Sequence, residues 1–134
     1  MNNIASVAGR FGLSLIFILS GFAKLGAGYA GTQGYMEAMG VPGALLPLVI
    51  LAEIGGGLAI LFGLLTRTAA VSLAAFSLVS AFLFHFDLAD QGQFINFMKN
   101  IAIAGGMLML VASGAGKFSI DGWLASRRKL GGAR

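Results

Sequence analysis

The sequence predicts an all-α integral membrane protein, built as a four-transmembrane-helix bundle with a short amphipathic C-terminal segment. Of its 134 residues, 57% are hydrophobic and only 10% are charged, and its mean hydropathy is +0.88. A soluble domain carries roughly 25% charged residues, so lipid must be the solvent of most of this surface. Four apolar segments, at about residues 7–25, 45–65, 69–86 and 94–112, are each close to the length that spans a bilayer. We therefore expect a single transmembrane domain over residues 1–134.

The first span is expected to stay in the mature protein. Arg10 lies near the start of the apolar run, as a basic residue does in a signal peptide. However, the run is long, it ends at Lys24 rather than at a small-residue cleavage site, and three more spans follow.

Basic residues sort to one side of the membrane. Four spans bring both termini to the same side, and that side receives most of the cations, namely Arg10, Arg67, Lys117, Arg127, Arg128, Lys129 and Arg134. The other side receives fewer cations and most of the acids, namely Lys24, Lys99, Glu37, Asp87 and Asp90. The positive-inside rule then predicts that both termini are cytoplasmic in a multi-pass protein of the bacterial inner (plasma) membrane. This sorting also explains the net charge of +4 better than nucleic-acid binding does.

The connections between the spans differ in character. Residues 26–44 form a long, glycine-rich connection that is expected to hold a short interfacial helix around Gln33–Met39. Thr66–Thr68 is predicted to be a tight turn, which would make spans two and three antiparallel neighbours. After span four, glycines break the helix, and Ile120–Lys129 is expected to be amphipathic, with Trp123 and Leu124 in the membrane interface and Arg127–Lys129 facing lipid head groups.

Glycines lie in the middle of two spans, at Gly55–Gly57 and at Gly105–Gly106. Small residues let transmembrane helices approach closely, and they can also leave room for a flat ligand. Close packing is the favoured interpretation of both groups.

Glu53 is the most informative residue of the chain. It is the only charge between Pro47 and Leu65. If the helix begins at Pro47, Glu53 lies about 9 Å below the interface, and if it begins at Gly43 the depth is about 15 Å. A carboxylate at that depth is costly, and such residues usually mark functional sites.

Partners for Glu53 are present at a similar depth. Lys24 ends the first span, Lys99 and Asn100 open the fourth, and His85 ends the third. These five side chains are predicted to form a buried polar cluster that binds a ligand, with either lysine as the partner of Glu53. Alternatively, the lysines are interfacial anchors and His85 is only hydrogen-bonded at its helix end. With one histidine and no cysteine, no metal site is expected, and dithiol redox chemistry is excluded.

A second charged group is expected at the cytoplasmic end. Arg10 lies in the first span, Arg67 in the turn after the second, and Asp121 just after the break that follows the fourth. An ion pair of Asp121 with Arg67 or Arg10 would tie the tail to the bundle. We interpret these three residues as structural.

The ordered set of motifs resembles the DoxX family of small bacterial membrane proteins. The matching residues run from about residue 5 to 125 and comprise Arg10, Phe17-x-x-Ser20-Gly21-x-x-Lys24, Gly40-Val41-Pro42, Glu53-x-x-Gly56-Gly57, Gly63-x-x-Thr66-Arg67, Phe97-x-Lys99-Asn100, Gly105-Gly106 and Gly114-x-Gly116-x-x-Ser119-Ile120-Asp121. The resemblance implies a four-helix membrane bundle and an association with redox chemistry, since relatives include a subunit of an archaeal thiosulfate:quinone oxidoreductase. Because this chain lacks cysteine, a redox role would need a bound quinone or the cofactor of a redox-enzyme partner.

Three functions remain open on the sequence alone. In the first, the polar cluster binds a quinone and manages its proton, Phe17, Phe22, Phe94 and Phe97 pack its ring, and the protein has no covalent cofactor. In the second, the cluster holds the head of a small amphiphile that the protein binds or transports. In the third, the protein is a structural or assembly factor. Membrane lipid is the expected surrounding, and a homo-oligomer or a redox-enzyme partner is compatible with each function.

Overall fold

The protein is described by a computed structural model that covers residues 2–132. Arg134, one of the cations assigned to the cytoplasmic side, lies outside the described residues. The structure consists of six α-helices: α1 (Asn3–Ala23), α2 (Tyr29–Ala38), α3 (Leu46–Phe62), α4 (Thr66–Phe84), α5 (Gln91–Ser113) and α6 (Ile120–Gly131). Four segments are long and apolar enough to cross a membrane, namely Asn3–Ala23, Gly43–Phe62, Thr66–Phe84 and Gln91–Ser113. The predicted all-α, four-span class is confirmed.

The bundle is assembled from two closely packed helix pairs. Helix α1 packs along α3, and α4 packs along α5, whereas α3 meets α4 over a smaller area. The core where the pairs join is formed by Phe17, Ile60, Ala70, Leu73, Ala74, Ala104, Met107 and Leu110. The two pairs therefore share one apolar interior.

Gly57 explains the close approach of α1 and α3. A Cβ atom at this position would lie 2.8 Å from the Ile18 side chain and 3.3 Å from the backbone nitrogen of Ile18. Gly21 plays the same part on α1, against Ile54 of α3. Gly55 differs, because its nearest neighbour would be the Leu51 side chain at 3.9 Å. Close packing thus accounts for Gly57 but not for Gly55.

The turn between α3 and α4 lies earlier than the sequence suggested. Helix α3 ends at Phe62 and is capped by Gly63, whose left-handed backbone (φ 67°) is a common way to close a helix. Leu65 is also left-handed (φ 49°), and α4 already begins at Thr66. The prediction of a turn at Thr66–Thr68 was therefore wrong by three residues, because the reversal is completed by Gly63–Leu65.

Helix α2 covers one end of the bundle, called here the α2 end. The Gln33 side chain donates to the Gly43 carbonyl at 3.2 Å, and the Tyr35 hydroxyl donates to the Phe84 carbonyl at 3.3 Å. Met36 is buried beneath the helix. A helix is present where one was expected around Gln33–Met39, but it begins four residues earlier, at Tyr29, and ends at Ala38. The opposite end, where α3 turns into α4 and α6 begins, is the α6 end.

Candidate functional site

Glu53 and Lys24 form an ion pair between α3 and α1. The Nζ atom of Lys24 lies 2.9 Å from Oε1 of Glu53 and 3.1 Å from its Oε2. The Glu53 side chain is 4% exposed and that of Lys24 is 25% exposed. Gly21 permits this contact, because it brings the two helices together one turn from the pair, close to the Cβ atom of Glu53. Of the two lysines proposed from the sequence, Lys24 is the partner.

The Lys24 ammonium makes two hydrogen bonds, to Oε2 of Glu53 at 3.1 Å and to the backbone carbonyl of Ser20 at 3.3 Å. Its contact with Oε1 of Glu53, at 2.9 Å, is an ion-pair contact. Two of the three N–H bonds of the ammonium group are therefore used, and its charge is paired with the carboxylate.

Lys99 is placed differently from Lys24. It lies on α5, which packs against α4 rather than against α3. Its Nζ atom donates to the Asn96 side chain at 3.3 Å, and the residue is otherwise exposed. Within residues 2–132, Lys24–Glu53 is the only ion pair. The charge of Lys99 is thus unpaired, and two of its three N–H donors are available to a ligand.

His85 follows the last residue of α4 and contacts a residue that the sequence did not single out. Its Nδ1 atom lies 2.7 Å from Oε1 of Gln93, across the short connection to α5. In the neutral tautomer that donates from Nδ1 to this oxygen, Nε2 is left as an acceptor. The only sequence signal for Gln93 was its polar position just inside the next helix.

One cavity brings all five predicted residues together. It has a volume of about 430 Å³, within the usual range of roughly 300–1,000 Å³ for small-molecule sites. Helices α1 to α5 contribute to its lining, which consists of Ile16, Phe17, Ser20, Lys24, Thr32, Tyr35, Met36, Val41, Leu45, Val49, Glu53, Phe76, Ser77, Val79, Ser80, Leu83, Phe84, His85, Lys99, Asn100 and Ile103. Most of these side chains are apolar, and the ionisable ones gather toward the α2 end.

The aromatic wall of the cavity differs from the expectation. Of the four phenylalanines proposed to pack a ring, only Phe17 lines the cavity. Phe22 and Phe94 are 55% and 42% exposed on the outside of the bundle, and Phe97 packs against two other phenylalanines of the surface. The other three were therefore assigned wrongly, because the direction in which a helix faces is set by packing. Phe76, Phe84 and Tyr35 supply the aromatic lining instead.

At the α6 end, Arg10 closes the C-terminus of α3. Its guanidinium donates to the carbonyl of Leu61 at 2.9 Å, to that of Ile60 at 3.3 Å, and to that of Phe118. The residue is 2% exposed. Carbonyls at a helix C-terminus lack partners within the helix and favour a cation. Arg10 therefore joins α1, α3 and the segment before α6.

Asp121 caps the N-terminus of α4. Its Oδ1 and Oδ2 atoms accept from the backbone N–H groups of Leu65 and Thr66, both at 2.9 Å, and its own N–H donates to the Gly63 carbonyl at 2.8 Å. Burial alone raises the pKa of this carboxyl, but the hydrogen bonds from Thr66 and Leu65 and the charge of Arg10 outweigh it and leave the pKa below its ordinary value.

The prediction that Asp121 forms an ion pair was wrong. The tail is tied to the bundle as expected, but neither Arg10 nor Arg67 lies within ion-pair distance of the carboxylate. The carboxylate instead satisfies the unpaired N–H groups of a helix N-terminus. The Arg67 guanidinium lies beside Gly114, where an added Cβ atom would be 3.3 Å from its Nε atom.

These features define a small multi-pass membrane protein with a mostly apolar, partly open cavity and a paired carboxylate in its wall. Residues 5–86 match the sequence model of the DoxX family. The chain is 53% identical over 121 residues to inner membrane protein YqjF of Escherichia coli (strain K12), covering 90% of this chain and 92% of that protein. It is 35% identical over 119 residues to inner membrane protein YphA of the same organism, covering 84% of each. No solved structure gives a significant match. The chain belongs to the DoxX family and is an inner membrane protein.

Proposed function

We propose that the protein binds one lipophilic molecule of the quinone class in the cavity that helices α1 to α5 line. The observation that carries this proposal is the division of the cavity into an apolar body and a polar end that holds unused hydrogen-bond donors. A quinone ring has the same division, with two carbonyl acceptors on a flat apolar ring. A protein of this kind would serve as an accessory to a redox enzyme of the same membrane.

Lys99 and Asn100 are the residues proposed to hold the carbonyl oxygens. Lys99 has donors to spare, and the Asn100 side chain lies on the same cavity wall. Hydrogen bonds from a charged donor contribute about 1.5–3 kcal/mol, so Lys99 is expected to dominate recognition of the polar head. Phe17, Phe76 and Phe84 offer aromatic faces to the ring.

Lys24 and Glu53 have a supporting part in this proposal. Because the Lys24 charge is paired with Glu53 and two of its N–H groups have acceptors, the pair fixes the position of α1 against α3, and the residues of α5 bind the head group. Glu53 keeps free lone pairs, so it can still accept a hydrogen bond from a hydroxyl of the ligand.

A small amphiphile with an anionic head is a second candidate. The charges of Lys24 and Glu53 cancel each other. Lys99 therefore gives the cavity an unbalanced positive charge, because no carboxylate of residues 2–132 lies within ion-pair distance of it. A carboxylate or phosphate head would neutralise it, and an acyl chain would fill the apolar part.

Mass spectrometry of molecules extracted from the purified protein separates the candidates. The quinone proposal expects a near-stoichiometric quinone in the wild type, and the second candidate expects an anionic amphiphile. Ser80 lines the cavity from α4, whereas Ser72 faces outward from the same helix. Ser80→Phe should lower the ligand content about tenfold, and Ser72→Phe should not change it. Equal contents in these two variants, or an empty wild-type protein, would contradict a ligand site in this cavity.

A further inference from the structure

Helix α6 leaves a row of apolar side chains without a partner. None of its residues is buried, and Trp123 and Leu130 are 55% and 70% exposed. At 3.6 residues per turn, Ile120, Trp123, Leu124 and Leu130 fall on one face of the helix. A face of this kind needs a surface to cover it.

The same helix ends in a cluster of cations, Arg127, Arg128 and Lys129. None of the three forms an ion pair within residues 2–132. The Arg127 guanidinium lies 5.1 Å from the centre of the Trp123 ring. At 3.6 residues per turn, Arg127 lies on the apolar face itself, between Trp123 and Ile120. Arg128 lies at the edge of that face, and Lys129 lies on the opposite side of the helix. Arginine beside tryptophan is typical of helices at a membrane interface, where the apolar part is buried and the charge stays with the head groups.

The start of α6 is fixed at the level where the spans end. The Asp121 N–H donates to the Gly63 carbonyl at 2.8 Å, and Gly63 is the residue that caps α3. The apolar face of α6 therefore begins beside the end of a spanning helix, where lipid head groups surround the bundle. The bilayer surface is therefore the nearest partner available to this face.

We infer that α6 docks on an anionic phospholipid surface, with its apolar side chains in the acyl boundary. The long side chains of Arg127 and Arg128 reach out to the phosphates, and Lys129 adds positive charge close to the surface. Charge complementarity and the position of Gly63 carry this assignment. It is independent of the ligand proposed for the cavity, because it involves the opposite end of the bundle.

Trp123 is the only tryptophan of the chain, so its fluorescence reports on α6 alone. The full-length protein is placed in vesicles of phosphatidylcholine, with or without phosphatidylglycerol, and quenching by brominated acyl chains is measured. We expect emission at shorter wavelength and stronger quenching when the anionic lipid is present. About 1 M salt, which screens charges beyond roughly 3 Å, should weaken this response.

Charge variants provide the matched comparison. Arg128→Ala and Lys129→Ala should each weaken docking about fivefold, as expected for one cation near an anionic surface. Lys117→Ala removes an exposed cation that precedes α6 at the same end and should leave the response unchanged. Equal quenching in neutral and anionic vesicles would overturn the inference. So would wild-type quenching in the Arg128→Ala/Lys129→Ala double variant, or no quenching by brominated lipid in either vesicle.

Discussion

The Lys24 ammonium lies 2.9 Å and 3.1 Å from the two carboxylate oxygens of Glu53, so the end of α1 neutralises the charge inside α3. A carboxylate in a spanning helix is costly unless it is paired. The pairing therefore contributes to holding α1 beside α3, and it leaves Lys99 as the unpaired cation of the cavity.

Breaking the pair on one side should destabilise the protein. Glu53→Gln leaves the Lys24 charge without its partner, and Lys24→Met leaves Glu53 stranded among apolar side chains. Removing one member of a buried pair costs about 3–5 kcal/mol. Because Lys24 is 25% exposed, we expect about 3 kcal/mol or less, measured as the free energy of unfolding in mixed detergent micelles.

The double variant Glu53→Gln/Lys24→Met should recover part of that loss, since neither charge then lacks a partner. This makes the coupling energy of the double-mutant cycle favourable. Lys99→Met is the control, because Lys99 does not contact Glu53, and it should leave stability nearly unchanged. Strictly additive effects of the two single changes would rule out a stabilising pair.

The span positions and the five polar residues that line one cavity could be predicted from sequence because lipid imposes simple requirements. A span needs a long apolar run, and Glu53 stands out in such a run. The choice between Lys24 and Lys99 could not be made, because both lie at a similar depth. It depends on which helices pack side by side, and this is decided by contacts such as that of Gly57 with Ile18.

The sequence predicted that Asp121 ties the tail to the bundle, but it did not predict the groups that Asp121 contacts. Arg10 and Arg67 are visible in the sequence as candidate partners, whereas backbone N–H groups are not. One of the two donors, Leu65, has a left-handed backbone (φ 49°). Few residues other than glycine adopt this conformation, and no sequence pattern indicated it here.

Asp121→Ala should lower the free energy of unfolding by about 1 kcal/mol, as loss of a helix cap usually does. The pKa of Asp121 is lowered in the folded protein. Its contribution should therefore be complete above the unfolded pKa of about 3.9 and be lost as the pH falls through the lower folded value. Thermal unfolding of both proteins as a function of pH measures this difference. A gap between them that persists at the lowest pH would refute the assigned role.

Gly57→Ala should destabilise the bundle, whereas Gly55→Ala should not. An added methyl at Gly57 meets Ile18 at 2.8 Å, but at Gly55 the nearest atom is 3.9 Å away. Overpacking a close contact costs about 1–3 kcal/mol, and alanine is the better helix former at an open position. Unfolding of the two variants in detergent provides the comparison, and equal stabilities would show that α1 and α3 are not held this closely.

Both termini are predicted to face the cytoplasm, because most Lys and Arg residues outside the spans lie at the α6 end. A reporter that is active only in the cytoplasm should be active when fused to the C-terminus and inactive when inserted at Gly34, in the exposed part of α2. The reverse pattern would invert the topology, and activity at both positions would contradict four spans.

The most direct test of the proposed site is the affinity of a short-chain quinone for Lys99→Met and Lys117→Met, measured by equilibrium binding to purified protein. Both changes remove one exposed lysine, but only Lys99 lines the cavity. A lost charged hydrogen bond of about 1.5–3 kcal/mol predicts that Lys99→Met binds at least about tenfold more weakly, with unchanged unfolding temperature. Lys117→Met should bind as the wild type does. Equal affinity in the two variants would contradict a ligand site at Lys99.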